Sequence, residues 1–146
     1  MASELELTLF DEELAAVRLL DEAVRWELER DTSVPLGLFA VMHPASNPDQ
    51  HYKARVRWSD YFGPFSLKYI NIVTGAENDP AAWPKCYGFR PGSLDACLPI
   101  TAEGHGLHPE WAKSTATRFP NVELPMQFAL LQLQAILDNS YQGRGS

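Results

Sequence analysis

The chain has 146 residues, 45% hydrophobic, 11% aromatic and 21% charged, with a formal net charge of −7. That length supports one domain with its own core, and the composition excludes intrinsic disorder, a collagen-like repeat and a disulfide scaffold. The acidic balance argues against unaided binding to nucleic acid or an anionic membrane, because both draw affinity from Lys and Arg.

The charge is concentrated at the start. Residues 1–31 hold ten acids against Arg18, Arg25 and Arg30, while the rest of the chain carries nine acids and nine bases. Such a run is usually a solvated helix face, and the sharper reading is an acidic docking face for a basic partner. Thr8, followed three residues on by Asp11, resembles a helix N-cap. Leu14, Val17, Leu20, Val24 and Leu28 recur at three- and four-residue steps, which predicts one amphipathic helix running to about Arg30. Pro35 ends it, since the residue before a proline is pushed out of the helical region.

Leu36 to Met42 reads as a strand between Pro35 and the turn-rich His43–Pro48. In the next segment Tyr52, Ala54, Val56 and Trp58 alternate with Lys53, Arg55, Arg57 and Ser59, predicting a strand with one face buried and one basic face in water. After the turn at Asp60–Pro64, Phe65 to Val73 reads as a third strand, and short connections make these an antiparallel meander. The stretch from Thr74 to Asn121 is irregular, rich in Gly and Pro, and holds both cysteines, His105, His108, Trp83 and Trp111. A span of that length is either functional or conceals short elements, and a fourth strand is expected around Lys85–Phe89. Pro125 opens a second amphipathic helix carried by Met126, Ala129, Leu130, Leu133, Ile136 and Leu137 and ending by Asn139. Residues 143–146 read as a flexible tail after a single domain over 1–142. Strands clustered between outer helices give an α+β class: an N-terminal helix, a three- to four-stranded antiparallel meander, an irregular active-site segment and a crossing C-terminal helix.

No run reaches the roughly 18 apolar residues of a spanning helix, and the start carries no basic signal-peptide head, so a cytoplasmic protein with no membrane partner is expected. Free cysteines fit a reducing compartment. Cys97 lies past a Gly-containing turn, beside Asp95, with His105 and His108 downstream. A small buried core residue and a thiol activated by an imidazole both fit that setting. Cys86 reads as core. Zinc ligation by Cys86, Cys97, His105 and His108 has only one close pair, His105-x-x-His108, where structural zinc sites favour several. No Gly-x-Ser-x-Gly elbow, phosphate loop or dinucleotide fingerprint occurs, so no cofactor is expected.

The order of these features resembles the ubiquitin-conjugating enzyme superfamily, in its divergent bacterial form. Arg55–Trp58 running into Gly63-Pro64 looks like that family's second strand and turn. Asp79–Phe89 is similar to its proline-rich stretch before the active site, and Gly92 to Cys97-Leu98 looks like its Gly-x-Ile-Cys-Leu signature. Trp111 and the helix Leu130–Leu137 resemble the Trp downstream of the nucleophile and the helix behind it. The resemblance implies a transferase in a ubiquitin-like conjugation pathway. Cys97 would accept a ubiquitin-like modifier as a thioester from an activating enzyme, which could dock on the acidic first helix, and pass it to a target amine. The family's His-Pro-Asn tripeptide is replaced by Tyr87-Gly88-Phe89, which puts transfer to lysine in doubt more than thioester formation. His105 or His108, in an insertion before Trp111, is the expected substitute as hydrogen-bond donor or general base. The alternatives are a non-catalytic interaction module of the same fold, and a small Cys/His-dependent hydrolase or zinc-binding protein.

Overall fold

The computed structural model describes residues 2–146. Helix α1 spans Glu4–Val17 and starts earlier than the Thr8 cap predicts. Ser3 is the N-cap: its hydroxyl accepts the Glu6 N–H at 3.1 Å, and the Glu6 carboxylate accepts the Ser3 N–H at 3.0 Å. This reciprocal pair satisfies two of the four donors that a helix start leaves open. One face of α1 buries Phe10, Leu14 and Val17.

The helix does not continue to Arg30. It stops at Val17, a short 3-10 turn follows at Asp21–Arg25, and strand β1 covers Glu27–Arg30. The burial of the expected stripe departs from a helix, with Val24 88% exposed. Trp26, Leu28 and Arg30 alternate instead with Glu27 and Glu29, a period of two that suits a strand. Trp26 is buried and its indole N–H donates to Gln134 Oε1 at 2.9 Å, which fixes the entry to β1.

Strands β2 (Gly37–Met42), β3 (Tyr52–Arg57) and β4 (Ser66–Ile70) follow, and the four form one antiparallel sheet in the order β1-β2-β3-β4. The fourth strand of the meander is therefore β1, at its beginning. The predicted alternation in β3 holds: Tyr52, Ala54 and Val56 are buried, and Lys53, Arg55 and Arg57 lie on the other face. With Leu38, Ala40, Met42, Leu67 and Tyr69 they form a continuous apolar face. Helix α3 (Pro125–Ser140) buries Met126, Ala129, Leu130, Leu133 and Leu137 in the same core and packs against α1. Burying each of the larger aliphatic side chains here contributes about 1.5–3 kcal/mol, so this layer dominates the stability.

Two carboxylates are buried among these elements. Leu124, at the start of α3, offers no capping side chain. The carboxylate of Glu13 on α1, only 7% exposed, takes that role, accepting Met126 N–H at 3.1 Å and Gln127 N–H at 2.8 Å, as well as the Tyr61 hydroxyl. Asp31, 2% exposed, accepts Ser33 N–H and Oγ–H and pairs with Arg57 Nε at 2.9 Å. Two of the ten N-terminal acids are thus buried in structural contacts and are not available to a docking face.

The irregular span resolves into short elements. A two-stranded hairpin pairs β5 (Phe89–Arg90) with β6 (Asp95–Ala96), apart from the main sheet, and a six-residue helix α2 covers Ala102–Leu107. The strand expected at Lys85–Phe89 is reduced to this hairpin because the chain is occupied elsewhere: Trp83 and Lys85 exchange backbone hydrogen bonds with residues 142–145. The segment expected as a flexible tail is thereby docked along Gly143–Gly145. Among the described residues, no helix is long and apolar enough to cross a membrane.

Candidate functional site

Cys97 follows β6 directly and is held by three local devices. Its own N–H donates to the Gly88 carbonyl at 2.8 Å, extending the hairpin ladder by one pair. At the hairpin tip Leu94 takes a left-handed backbone (φ 57°), and its carbonyl accepts Lys68 Nζ at 2.7 Å, tying the tip to β4. Behind Cys97, the buried Thr101 hydroxyl donates to the Ala96 carbonyl at 2.6 Å and accepts the Gly104 N–H at 3.1 Å. That last bond is the N-cap of α2.

Along β6 and beyond, Ala96 and Leu98 are buried while Asp95 and Cys97 are half-buried. Alternation thus turns Asp95 and Cys97 toward the opposite face. The residue across the hairpin from Cys97 is Gly88, in a left-handed conformation (φ 79°) where a side chain would also run into Leu98. No cross-strand side chain therefore covers the thiol. Two pairs along the hairpin lies an ion pair: Arg90 grips Asp95 through Nε and Nη2 at 2.7 and 2.6 Å. The Arg90 guanidinium is held above its ordinary pKa by this hydrogen bonding, by the Asp95 charge and, to a smaller degree, by Cys97. Arg90 is thus a paired cation on the strand facing the segment that bears Cys97.

The second cysteine has a different setting. Cys86 packs against the core, and burial pushes its thiol up to about 11, a rise that a hydrogen bond with Ser140 only partly opposes. A thiol with that pKa is mostly protonated at neutral pH and is a poor nucleophile. The reading of Cys86 as core thus agrees with its surroundings.

The two histidines fall on α2 and the turn after it, and both contact Trp111. His108 stacks on the indole with ring centres 4.3 Å apart and planes 15° from parallel, and its Nδ1 lies 3.1 Å from Glu110. His105 meets the indole edge-on and places Nε2 2.5 Å from the Pro99 carbonyl. Since a carbonyl only accepts, Nε2 carries the proton there and Nδ1 is left as the basic nitrogen of the neutral ring. Among the described residues no hydrogen bond joins either imidazole to Cys97, and no three His, Cys, Asp or Glu side chains converge as a metal site needs.

Sequence reasoning passed over Thr101, Lys68 and the Arg90–Asp95 pair. Thr101 was legible, since a Thr directly before Ala-Glu-Gly-His is a helix-start signal. The other two depend on pairing across a hairpin and between sheets, which no local pattern encodes.

Comparison with known proteins returns no family model, no curated protein and no solved structure similar to this chain.

Proposed function

We propose that the chain is a ubiquitin-like-protein conjugating enzyme of divergent type, with Cys97 as the acceptor. The Cys97 thiolate attacks the carbonyl of the modifier's thioester on an activating enzyme. A new C–S bond forms, the old one breaks, and the activating enzyme's cysteine leaves as thiolate. In the second step a target amine attacks the Cys97 thioester, a C–N bond forms, the amine sheds a proton, and the Cys97 thiolate is released. Exchange between two thioesters is nearly isoenergetic, so the protein's task is to position the sulfur and exclude water.

The observation that carries this reading is the placement of Cys97: a half-buried thiol at the end of a braced hairpin, opposite a glycine and two residue pairs from the Arg90–Asp95 ion pair. The order of N-terminal helix, four-stranded meander, cysteine-bearing segment and C-terminal helix supports it, being the order of the superfamily that the sequence resembles. His105 is the better placed of the two imidazoles for a polar role, because Pro99, which anchors it, is two residues from Cys97. His108 is engaged with Trp111 and Glu110. Activating enzyme, modifier and ATP incubated with the chain should give an adduct that dithiothreitol cleaves. Persistence of that adduct in Cys97→Ala would refute the assignment.

One observation favours a non-catalytic module of the same fold. Tyr87-Gly88-Phe89 presents no amide side chain where the family carries its Asn, and Phe89 is turned into the core. An ordered Cys97 that no activating enzyme charges would decide for that reading.

A further inference from the structure

Residues 142–145 run along Trp83–Lys85 in a shallow channel, with Gly145 buried and Gln142 and Arg144 exposed. The Gln142 N–H donates to the Lys85 carbonyl at 2.8 Å, the Lys85 N–H donates to the Gly143 carbonyl at 2.8 Å, and the Gly145 N–H donates to the Trp83 carbonyl at 2.7 Å. This is one strand added to the edge of Trp83–Lys85, with Arg144 paired to Pro84. Gly143 has φ 102°, which disfavours any residue with a side chain. The Arg144 guanidinium donates to the Ala81 carbonyl at 2.8 Å, to the His51 carbonyl at 3.1 Å and to Gln50 Oε1 at 3.3 Å. It also lies 4.2 Å over the centre of the Tyr52 ring. Only a planar fork can reach several acceptors and stack on an aromatic face together. Gly145 is buried in a slot where an added Cβ would stand 2.4 Å from the Pro80 carbonyl and 2.8 Å from Pro91 Cβ.

We propose that this channel is a recognition site for an extended Gly-Arg-Gly segment of a partner protein, closed in this chain by its own residues 142–145. The occupant is defined by the segment now seated there: main-chain bonds supply the strand register, and the two glycines and the arginine supply the selectivity. The closure is reversible because the segment buries no apolar side chain. Its polar contacts exchange against water, while its backbone freedom is regained on release. Tethered at the end of α3, the segment competes with any partner at an effective concentration on the order of millimolar. The channel ends at Pro91, next to Arg90, so occupancy abuts the hairpin that bears Cys97. The inference holds whether or not Cys97 is charged, because its test reads peptide binding alone.

The probe is a fluorescein-labelled Gln-Gly-Arg-Gly-Ser peptide titrated with the full chain and read by polarisation. In Gly145→Val the internal segment can no longer seat while the channel itself is unchanged, so the variant should bind the peptide about tenfold tighter than the unmodified chain, or better. Arg144→Ala should do the same by removing the fork from the internal segment, and it serves if Gly145→Val does not fold. Peptides with Arg replaced by Lys, or with the second Gly replaced by Val, should bind either variant at least about tenfold more weakly. Equal binding by the variants and the unmodified chain overturns the proposal, as does equal binding of the Val-containing peptide. A dimer of the unmodified chain that excess peptide dissolves would put a second copy's segment in the channel and overturn the closure within one chain.

Discussion

Replacing Thr101 by Val exchanges a hydroxyl for a methyl at nearly constant volume, in a position with no solvent access. Two groups then lose their partner: the Ala96 carbonyl at 2.6 Å and the Gly104 N–H at 3.1 Å, the latter being the cap of α2. Loss of a cap costs about 1 kcal/mol and a buried carbonyl left open costs about 1–3 kcal/mol, so the substitution should destabilise the fold by about 3 kcal/mol. For a chain of this size that is a fall of about 10 °C in melting temperature. Because those bonds brace the turn on either side of Cys97, exchange of the Cys97 amide against deuterium should also quicken. Thr101→Ser keeps the hydroxyl and should stay within about 1 kcal/mol of the parent. Urea unfolding of the three proteins, with exchange followed by mass spectrometry over residues 95–104, makes the test. A Thr101→Val protein that unfolds within about 0.5 kcal/mol of the parent, with Cys97 exchange unchanged, would mean the hydroxyl does not brace the turn.

Iodoacetamide at neutral pH should add one label to the folded chain; Cys97→Ala should abolish it and Cys86→Ala should retain it, because burial holds the Cys86 thiol protonated. Labelling confined to Cys86 would reverse the roles given to the two thiols. Glu13→Ala should cost about 2–4 kcal/mol in urea unfolding, since it strips the cap of α3 and the partner of Tyr61 together. A cost below about 1 kcal/mol would show that water replaces the carboxylate. Stability should fall in acid. The Asp138 carboxyl is held low by its hydrogen bonds to Arg25, and Asp31 ends low because Ser33 and Arg57 outweigh the opposing effect of burial. Groups whose folded pKa lies below the unfolded value of about 3.9 stabilise above that pH and lose this contribution as pH falls through the folded value. Asp138→Asn should therefore lose less stability between pH 6 and pH 3 than the parent; an equal loss would remove Asp138 from the account.

The class and most of the layers are legible in the order of residues alone. The period of two in Tyr52–Trp58 and the apolar run to Met42 fixed two strands, because a one-residue slip would turn every buried side chain to water. The 3.6-residue spacing after Pro125 fixed α3. Cys97 stood out as a candidate from its neighbours in the chain. Where two periods competed, local pattern misled: residues 18–30 fit a helical stripe, yet β2 needed an edge partner and Trp26 needed Gln134, so the segment became a turn and a strand. It takes the folded chain to reveal that Glu13 caps a helix more than a hundred residues away, that Arg90 pairs with Asp95 near Cys97, and that residues 142–145 lie along Trp83–Lys85. Each of these satisfies a donor, an acceptor or a charge with a partner distant in sequence or across a strand pair. Periodicity reports which face a residue turns to the core, and carries no information on which polar group waits there.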